Sequence, residues 1–279
     1  MEYQKLLDVA TAAAQVGGEV LLTFAKRHDT LLVDPKAEFD FVTEADRAAE
    51  EKIVAQILGA FPAHQIVAEE QTYPSLPQHA APSSTGHPTP KANEVVQWII
   101  DPLDGTTNYI HGVPNFAVSI AAKQGSKIVV GVIWDPVRRE LFTTTAGGGA
   151  FLNGAPIQVS QNTNLRDCLL ATGFPFRAKP RIDSYLRMFR KFFDSARDIR
   201  RMGAASLDLA YVAAGRFDGF WEYGLSPWDF AAGSLLIREA GGMVSGFDDD
   251  EDFWKTGNIL ASNGRLHRTM REMILSAMP

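Results

Sequence analysis

The sequence predicts a layered α/β protein with an N-terminal half of helices and antiparallel strands and a C-terminal half of alternating strands and helices. Two patterns predict the first half: apolar residues at helical spacing over the first 27 residues, and alternating apolar residues between 95 and 144. A third pattern predicts the second half, because short strand candidates separate helical stretches from residue 169 onward.

In the N-terminal half, apolar and small residues recur every three or four positions from Tyr3 to Phe24, as in an amphipathic helix. Thr43-Glu44-Ala45-Asp46 has the form of a capping box and predicts a second helix, which Pro62 ends. Val95 to Ile100 has the composition of a buried strand, and Pro102 is expected to end it. Further strands are predicted at 116–120, 127–134 and 140–144.

In the C-terminal half, the strand candidates are 169–171, 198–201, 217–221, 243–244 and 259–261. Helical stretches are predicted near 181–195, 204–214, 227–240 and 265–277. We place the boundary near residue 146, at Ala146-Gly147-Gly148-Gly149, which gives halves of 1–146 and 147–279 that together form one compact unit. These glycines lack the spacing of a nucleotide-binding loop and predict a turn.

A proline-rich segment interrupts the N-terminal half at residues 72–94. Its prolines, separated by Ser, Thr and His, are Pro74, Pro77, Pro82, Pro88 and Pro90. We interpret it as a mobile surface loop, which is either a tolerated insertion or a lid over neighbouring residues.

Composition limits the class of protein. With 279 residues, 46% of them hydrophobic, the chain is long enough to bury a core without disulfides or structural metal. A single Cys168 excludes a disulfide framework and a cysteine-based zinc finger, and it favours a reducing, cytoplasmic environment. The first residues lack a signal-peptide pattern, and no apolar run approaches the ~18 residues of a membrane span. The net charge of −6 argues against non-specific nucleic-acid binding.

The most informative segment joins a predicted buried strand to two carboxylates, Asp101 and Asp104. The carboxyl end of a strand is the usual place for a binding site in α/β proteins. Gly105 allows a tight turn, and the backbone N–H groups of Gly105 and Thr106 form an anion site if a helix begins there.

Two further acidic residues occupy comparable positions. Glu69 follows the short apolar strand Ile66-Val67-Ala68, and Asp229 is the third residue after a predicted Ser226 helix cap. Each carboxylate also has a purely structural interpretation. Asp46 and Asp229 could serve simply as helix caps, and the others could simply shape turns or strand ends. Those interpretations do not explain why all of them lie at strand ends or helix starts.

Convergence of Glu69, Asp101, Asp104 and Asp229 would require a counter-charge. Each like-charge pair about 4 Å apart costs on the order of 4 kcal/mol at an effective dielectric of about 20. Several such pairs would cancel the ~5–15 kcal/mol by which a typical domain is stable. Oxygen ligands without His or Cys select hard ions such as Mg²⁺, Mn²⁺ or Ca²⁺. Such ions beside an anion pocket suggest phosphoryl chemistry.

The segment from Trp98 to Asn108 and the segment Trp228-Asp-Phe-Ala-Ala-Gly233 resemble the two signature motifs of the inositol monophosphatase family. The resemblance extends to Asp40–Asp46, Ala68–Glu70 and Glu239–Gly242, and thus to nearly the whole chain apart from the proline-rich loop. The stretches 198–203 and 207–222 look most like the bacterial inositol-1-monophosphatases.

The resemblance implies an α-β-α-β-α sandwich and a Mg²⁺-dependent phosphomonoesterase that hydrolyses myo-inositol monophosphate, usually a lithium-sensitive homodimer. It implies two or three Mg²⁺ ions, held by Glu69, Asp101, the Leu103 carbonyl, Asp104 and Asp229. It assigns activation of the attacking water to Glu69, Thr106 and Asp46. Substrate contacts carried over from the family are Leu103, Asp104, Gly105, Thr106, Arg200, Gly203, Ala204, Ala205, Glu222 and Asp229. Relatives often place a hydroxyl residue directly after the glycine, where this chain has Ala204.

Two alternative functions stay open. A fructose-1,6-bisphosphatase, bisphosphate nucleotidase or histidinol phosphatase would use the same scaffold and metals with a different alcohol pocket. The resemblance also implies a link to transcription antitermination and ribosomal-RNA complexes, so an interaction role is the second alternative. A basic stretch is either a solvated helix face or a surface for such a partner, and it comprises Arg181, Arg187, Arg190, Lys191, Arg197, Arg200 and Arg201.

Overall fold

The structure is a computed structural model that describes residues 3–27, 32–37, 40–71, 95–175 and 179–278. The proline-rich loop 72–94, with its predicted mobility, lies outside the described residues.

The N-terminal part contains two long helices and a seven-stranded sheet. Helix α1 is Gln4–Ala25, a two-stranded hairpin follows with β1 at Val33–Ala37 and β2 at Asp40–Thr43, and helix α2 is Glu44–Ala60. The sheet has the order β3-β4-β5-β6-β7-β8-β9, and only β3 and β4 are parallel. Its strands are β3 Gln65–Ala68, β4 Val96–Asp104, β5 Ala117–Gln124, β6 Lys127–Asp135, β7 Glu140–Thr145, β8 Gly149–Leu152 and β9 Ala155–Ile157, with the short helix α3 Thr106–Ile110 between β4 and β5.

The C-terminal part alternates strands and helices, as the sequence predicts. Its five strands have the order β11-β10-β12-β14-β13, with β10 parallel to both β11 and β12, and β14 antiparallel to β12 and β13. The elements are β10 Leu169–Thr172, α4 Ile182–Ser195, β11 Asp198–Arg200, α5 Ala205–Ala213, β12 Gly219–Glu222, α6 Pro227–Glu239, β13 Met243–Ser245, α7 Phe253–Thr256, β14 Ile259–Ser262 and α8 His267–Leu275.

Three separate apolar cores show that these elements form five layers. The first core joins α1 and α2 to one face of the seven-stranded sheet, and the second places α5 and α6 between the two sheets. The third joins α4 and α8 to the far face of the five-stranded sheet. Strand alternation divides the side chains between cores, so Trp98 and Ile100 face the first core whereas Ile99 faces the second. The α-β-α-β-α order that the resemblance implies is therefore confirmed.

Helix α1 is the only helix in the described parts of the chain that is long and apolar enough to cross a membrane. Its residues Ala10, Ala13, Ala14 and Leu21 are fully buried in the first core together with Ile53 of α2. The small residues let α1 lie close to α2, which accounts for its apolar composition within a folded core.

The first sheet continues past the predicted boundary near residue 146. Ala146, Gly147 and Gly148 form the turn of a hairpin between β7 and β8, and the sheet ends only with β9. The Glu239 carboxylate of α6 holds this turn by accepting hydrogen bonds from Gly147 N (2.8 Å) and Gly149 N (3.0 Å). Gly147 and Gly148 thus lie in a turn, as predicted, and this turn lies within one continuous sheet.

Candidate metal centre and adjoining cavity

Three carboxylates from two distant segments meet between the sheets. One oxygen each of Asp101, Asp104 and Asp229 lies within 4.8 Å of the others, and all three residues are buried. The first two lie at the carboxyl end of β4, and Asp229 lies in the first turn of α6. Glu69 follows β3, the parallel neighbour of β4, and lines the same cavity. The structure thus brings together the four acidic residues that the sequence singles out.

Strand β4 does not stop at Pro102, contrary to the sequence prediction. It continues to Asp104 through a shift of register: Asp101 pairs with Ser119 and Asp104 with Ala117 of β5, so that Pro102 and Leu103 lie opposite one residue. A bulge accommodates a proline because the missing N–H needs no partner there. The Leu103 N–H donates to Asp101 Oδ1 (3.0 Å), which orients that carboxylate. The bulge therefore directs both aspartates toward the same space.

Gly105 ends β4 in a conformation that other residues rarely adopt. Its φ is +95°, and a Cβ there would lie 2.9 Å from the carbonyl oxygen of Asn115. Helix α3 begins at the next residue, Thr106. The turn requires glycine, and it places the backbone of Gly105 and Thr106 in the wall of the cavity.

Asp104 is bonded to the start of α5. It accepts hydrogen bonds from Ala205 N (3.2 Å) and Ser206 N (2.7 Å), and from the Ser206 hydroxyl. A carboxylate at a helix N-terminus also interacts favourably with the helix dipole. Although Ala204 lacks a hydroxyl group, Ser206 supplies one to Asp104, a contact that no sequence motif indicated.

Asp46 combines the two roles that the sequence left open. It completes the capping box of α2, where its Oδ2 accepts from Thr43 N (2.9 Å). Its Oδ1 lies 3.4 Å from the Thr106 hydroxyl, which also donates to the Leu103 carbonyl at 3.0 Å. Asp46 does not itself line the cavity, so it acts there through Thr106.

The carboxylates open into a cavity of about 330 Å³. Predicted site residues in its wall are Glu69, Asp101, Leu103, Asp104, Gly105, Thr106, Gly203, Ala204, Ala205, Glu222 and Asp229. Its wall also contains residues that were not expected from the sequence, among them the aromatic Phe174 and Tyr223, the charged Arg201 and Asp208, and Gly173. Besides the metal-ligand candidates, the cavity wall thus contains a second charged group, in which Asp208 is close enough to Glu222 and Arg201 for their charges to affect its pKa.

Arg200 is not in the cavity, which corrects the sequence assignment. Residues two apart on a strand share a face, and Arg200 pairs with Asp198 of β11 on the exposed face. The next residue, Arg201, points the other way and lines the cavity, with its guanidinium 5.4 Å from the Phe174 ring centre. The segment that the resemblance singles out therefore contributes Arg201 to the cavity wall.

Burial and mutual repulsion disfavour the ionised forms of the carboxyl groups in the acidic cluster. Burial, followed by the charges of Glu69, Asp104 and Asp229, raises the pKa of Asp101 well above its usual value. Burial raises the pKa of Asp104 to about 6, although the hydrogen bonds from Ser206 oppose the change. Burial also raises the pKa of Asp208, with Glu222 and Asp104 adding to the effect and Arg201 opposing it.

This donor set fits a hard divalent cation. Buried carboxylate oxygens within 4.8 Å of one another can share an ion, and among the described residues the group contains no His or Cys ligand. A cation would also remove the repulsion that raises the pKa values of Asp101 and Asp104.

Protons and metal ions compete for these oxygens, so the stabilisation by Mg²⁺ is expected to depend on pH. The folded-state pKa of Asp104, about 6, exceeds the ~3.9 of an unfolded chain. The metal-free protein therefore loses stability as pH rises from about 4 through about 6. We expect saturating Mg²⁺ to raise Tm more at pH 7.5 than at pH 5, as measured by calorimetry with NaCl of equal ionic strength as the control.

The contribution of His267 to stability has the opposite pH dependence. It does not affect the increase in Tm that Mg²⁺ causes. His267 is buried between Ser245 and Ser262, and burial lowers its pKa to about 4, so stability falls as pH drops below about 6.5. Its contribution is the same with and without Mg²⁺ and cancels in the difference between the two Tm values. Equal increments of Tm at both pH values would contradict a metal site built from these carboxylates.

Comparison with known proteins gives matches over nearly the full length. A model of the inositol monophosphatase family matches residues 2–279. A Pseudomonas aeruginosa protein named Nus factor SuhB is 46% identical over 278 residues, covering 99% of this chain and 98% of that protein.

Two solved structures share the fold. The extragenic suppressor protein suhB of Bartonella henselae has a TM-score of 0.88 at 39% identity, covering 98% of this chain and 100% of that one. An inositol monophosphatase from Anabaena (Nostoc) has a TM-score of 0.83 at 38% identity, covering 100% of this chain and 98% of that one.

Proposed function

The chain belongs to the inositol monophosphatase family, and on this basis we propose that it is a Mg²⁺-dependent phosphatase that hydrolyses myo-inositol monophosphate to inositol and phosphate. The observation that carries the proposal is the meeting of Asp101, Asp104 and Asp229 within 4.8 Å, beside a cavity walled by Gly105 and Thr106. A cation cluster beside exposed backbone N–H groups suits a phosphate ester.

The proposal assigns two or three Mg²⁺ ions to Glu69, Asp101, the Leu103 carbonyl, Asp104 and Asp229. When bound, such ions polarise phosphoryl oxygens and lower the pKa of water. The Leu103 carbonyl has a second lone pair for this purpose, because it accepts one hydrogen bond from Thr106.

The remaining steps belong to side chains and backbone of this chain. The Thr106 hydroxyl accepts a hydrogen bond from the attacking water and donates its own proton to Asp46, so that Asp46 acts on the water through Thr106. Glu69, in the cavity wall, orients the same water. The backbone N–H groups of Gly105 and Thr106 hold phosphate oxygens, and Asp229 faces the leaving alcohol. Gly203, Ala204, Ala205 and Glu222 contact the sugar-alcohol part of the substrate.

Phosphate release from a panel of esters tests this function. We expect Mg²⁺-dependent hydrolysis with the highest kcat/KM for myo-inositol 1-phosphate, no activity after EDTA treatment, and inhibition by Li⁺. The panel includes fructose 1,6-bisphosphate, a nucleoside 3′,5′-bisphosphate and histidinol phosphate. A kcat/KM for any of these well above that for inositol phosphate would assign the enzyme to another phosphatase of the same fold, and activity indifferent to Mg²⁺ would refute the mechanism.

The proposal also includes a homodimer in the cytoplasm. A family resemblance supports the dimer, and a single cysteine, Cys168, supports the reducing compartment.

A second candidate function is participation in a transcription complex. Relatives named Nus factor support it, and so does the surface of α4. This helix exposes three large apolar residues, Ile182, Leu186 and Phe193, at 41%, 52% and 64%. The basic stretch is weaker support, because Arg190, Arg197 and Arg200 pair with neighbouring aspartates. A catalytically inactive protein that retains the cellular role would establish this function as independent of hydrolysis.

A further inference from the structure

Asp208 is a charged residue in a helix that is otherwise apolar or small. All nine residues of α5 are buried, because the helix lies between the two sheets, and Asp208 is the only ionisable acid among them. It is 2% exposed, and within the described part of the chain its Oδ1 has no hydrogen-bond partner.

Such a position is costly for a carboxyl group. A buried polar atom left without a hydrogen bond destabilises a protein by about 1–3 kcal/mol, and the usual remedy is an apolar residue of similar volume. Residues that break the local rules of folding in this way are concentrated at functional sites. Asp208 Oδ1 therefore calls for a partner that the described residues do not supply.

The surroundings of Asp208 indicate the chemistry of that partner. Asp208 lines the cavity, and it is close enough to Glu222 and Arg201 for their charges to affect its pKa. Glu222 has room there only because residue 173 is glycine, since a Cβ at this position would lie 2.0 Å from the Glu222 carboxyl group. Two carboxyl groups and a guanidinium in one part of a cavity supply acceptors and donors for several hydroxyl groups.

Aromatic residues complete this end of the cavity. Phe174 and Tyr223 line it, and Phe174 is 47% exposed beneath the Arg201 guanidinium. An exposed ring beside polar groups can cover the apolar C–H face of a ring-shaped ligand while the polar groups bind its edge. This combination fits a carbocyclic or sugar ring that carries several hydroxyl groups.

We propose that Asp208 is a specificity-determining residue whose carboxyl group hydrogen-bonds a hydroxyl of the substrate's alcohol part. The inference rests on the proposed function, since it adds a residue to the alcohol-binding part of the same cavity. Asp208 is not assigned to the metal: the oxygens that meet within 4.8 Å belong to Asp101, Asp104 and Asp229.

Asp208→Leu and Asp208→Asn test the inference with two substrates that share a six-membered ring. Myo-inositol 1-phosphate carries the hydroxyl groups, and cyclohexyl phosphate lacks them. We expect Asp208→Leu to lower the ratio of their kcat/KM values by about tenfold or more, because an unpaired hydroxyl is then buried against an apolar side chain. Asp208→Asn keeps one acceptor oxygen, so its ratio should lie between those of Asp208→Leu and the original protein.

Asp218→Asn is the matched control. Asp218 is also a buried aspartate, 4% exposed, but it lies outside the cavity and is satisfied by Ser160, Asn162 and the Leu169 N–H. Its replacement should lower Tm and leave the substrate ratio unchanged. Calorimetric titration with myo-inositol adds a binding readout that does not require turnover, and we expect weaker binding to both Asp208 variants.

The outcomes separate this inference from the function on which it rests. Equal loss of activity toward both substrates, or an unchanged ratio with unchanged inositol binding, would show that Asp208 is structural and would overturn the inference alone. An original protein that releases phosphate from neither substrate would refute the proposed function, and the inference with it. If Asp208→Leu does not fold, the ratio of kcat/KM values for Asp208→Asn tests the inference: a lowered ratio supports it, and an unchanged ratio contradicts it.

Discussion

Asp104→Asn is expected to lower kcat/KM for phosphate release by at least about 10³-fold, corresponding to several kcal/mol of lost transition-state stabilisation. The substitution removes one negative charge from the cluster that Asp101, Asp104 and Asp229 form. An uncharged amide is a weaker ligand for a hard cation than a carboxylate.

The geometry around Asp104 increases the effect. Its carboxylate accepts two backbone N–H groups and one hydroxyl from Ala205 and Ser206. An asparagine offers these donors one oxygen and one NH₂ group, and the NH₂ group would face an N–H that also needs an acceptor. The side chain therefore either turns away from α5 or loses its orientation toward the cation.

Asp135→Asn provides the control for Asp104→Asn. Asp135 is fully buried, but its partners are the N–H groups of Val137 and Arg138 and the Arg138 guanidinium, in a turn outside the cavity. We expect this variant to lose stability in thermal unfolding and to keep its kcat/KM per folded molecule. Asp104→Asn with activity within tenfold of the original protein would contradict the assignment of Asp104 to the metal.

The same variant separates the two candidate functions. If Asp104→Asn abolishes hydrolysis and still restores growth to cells lacking the protein, the interaction role is the main one. If hydrolysis and the cellular role disappear together, while the variant remains folded, catalysis is the main one. The exposed face of α4 lies on the outer layer, away from Asp104, so a local change at Asp104 leaves that surface intact.

The acidic cluster could be predicted from sequence because its members lie where local patterns end. Asp101 follows a continuous apolar run, and Asp229 stands at the third position of a capped helix, so each is identified by its own neighbours. The carboxyl edge of a sheet then supplies the reason for convergence. The position of Asp46 was predictable in the same way, from its capping box.

The roles of residues inside helices, and of residues whose side-chain direction depends on the strand register, were not predictable in this way. Asp208 sits within a helix whose burial on all sides depends on two sheets that are far apart in sequence. Arg200 ends β11 on its exposed face and Arg201 follows the strand, so a shift by one residue decides which arginine reaches the cavity. A lone acid in Ala205–Ala213 was nevertheless a signal, because that segment contains no basic residue to pair with it.

Replacement of Thr106 by valine is expected to lower kcat by about 10²-fold, the lower range for loss of general acid–base assistance. The Thr106 hydroxyl lies 3.0 Å from the Leu103 carbonyl and 3.4 Å from Asp46 Oδ1, so it connects the cavity to a buried carboxylate. Valine keeps the shape of the side chain and removes the hydrogen bonds of the hydroxyl to Asp46 and to the Leu103 carbonyl. The substrate makes no contact with the lost group in the ground state under this mechanism, so KM should change little.

Thr106→Ser and a double-mutant cycle with Asp46 show whether the two residues act together. Serine restores the hydroxyl and should recover most of kcat. Asp46→Asn should also lower kcat, with an additional loss of stability because Asp46 caps α2. If Thr106 and Asp46 take part in the transfer of the same proton, kcat of the double variant Asp46→Asn with Thr106→Val should be only slightly below that of the less active single variant. Losses in kcat that multiply would show that the two residues act independently, and a kcat for Thr106→Val within threefold of the original would remove Thr106 from the mechanism.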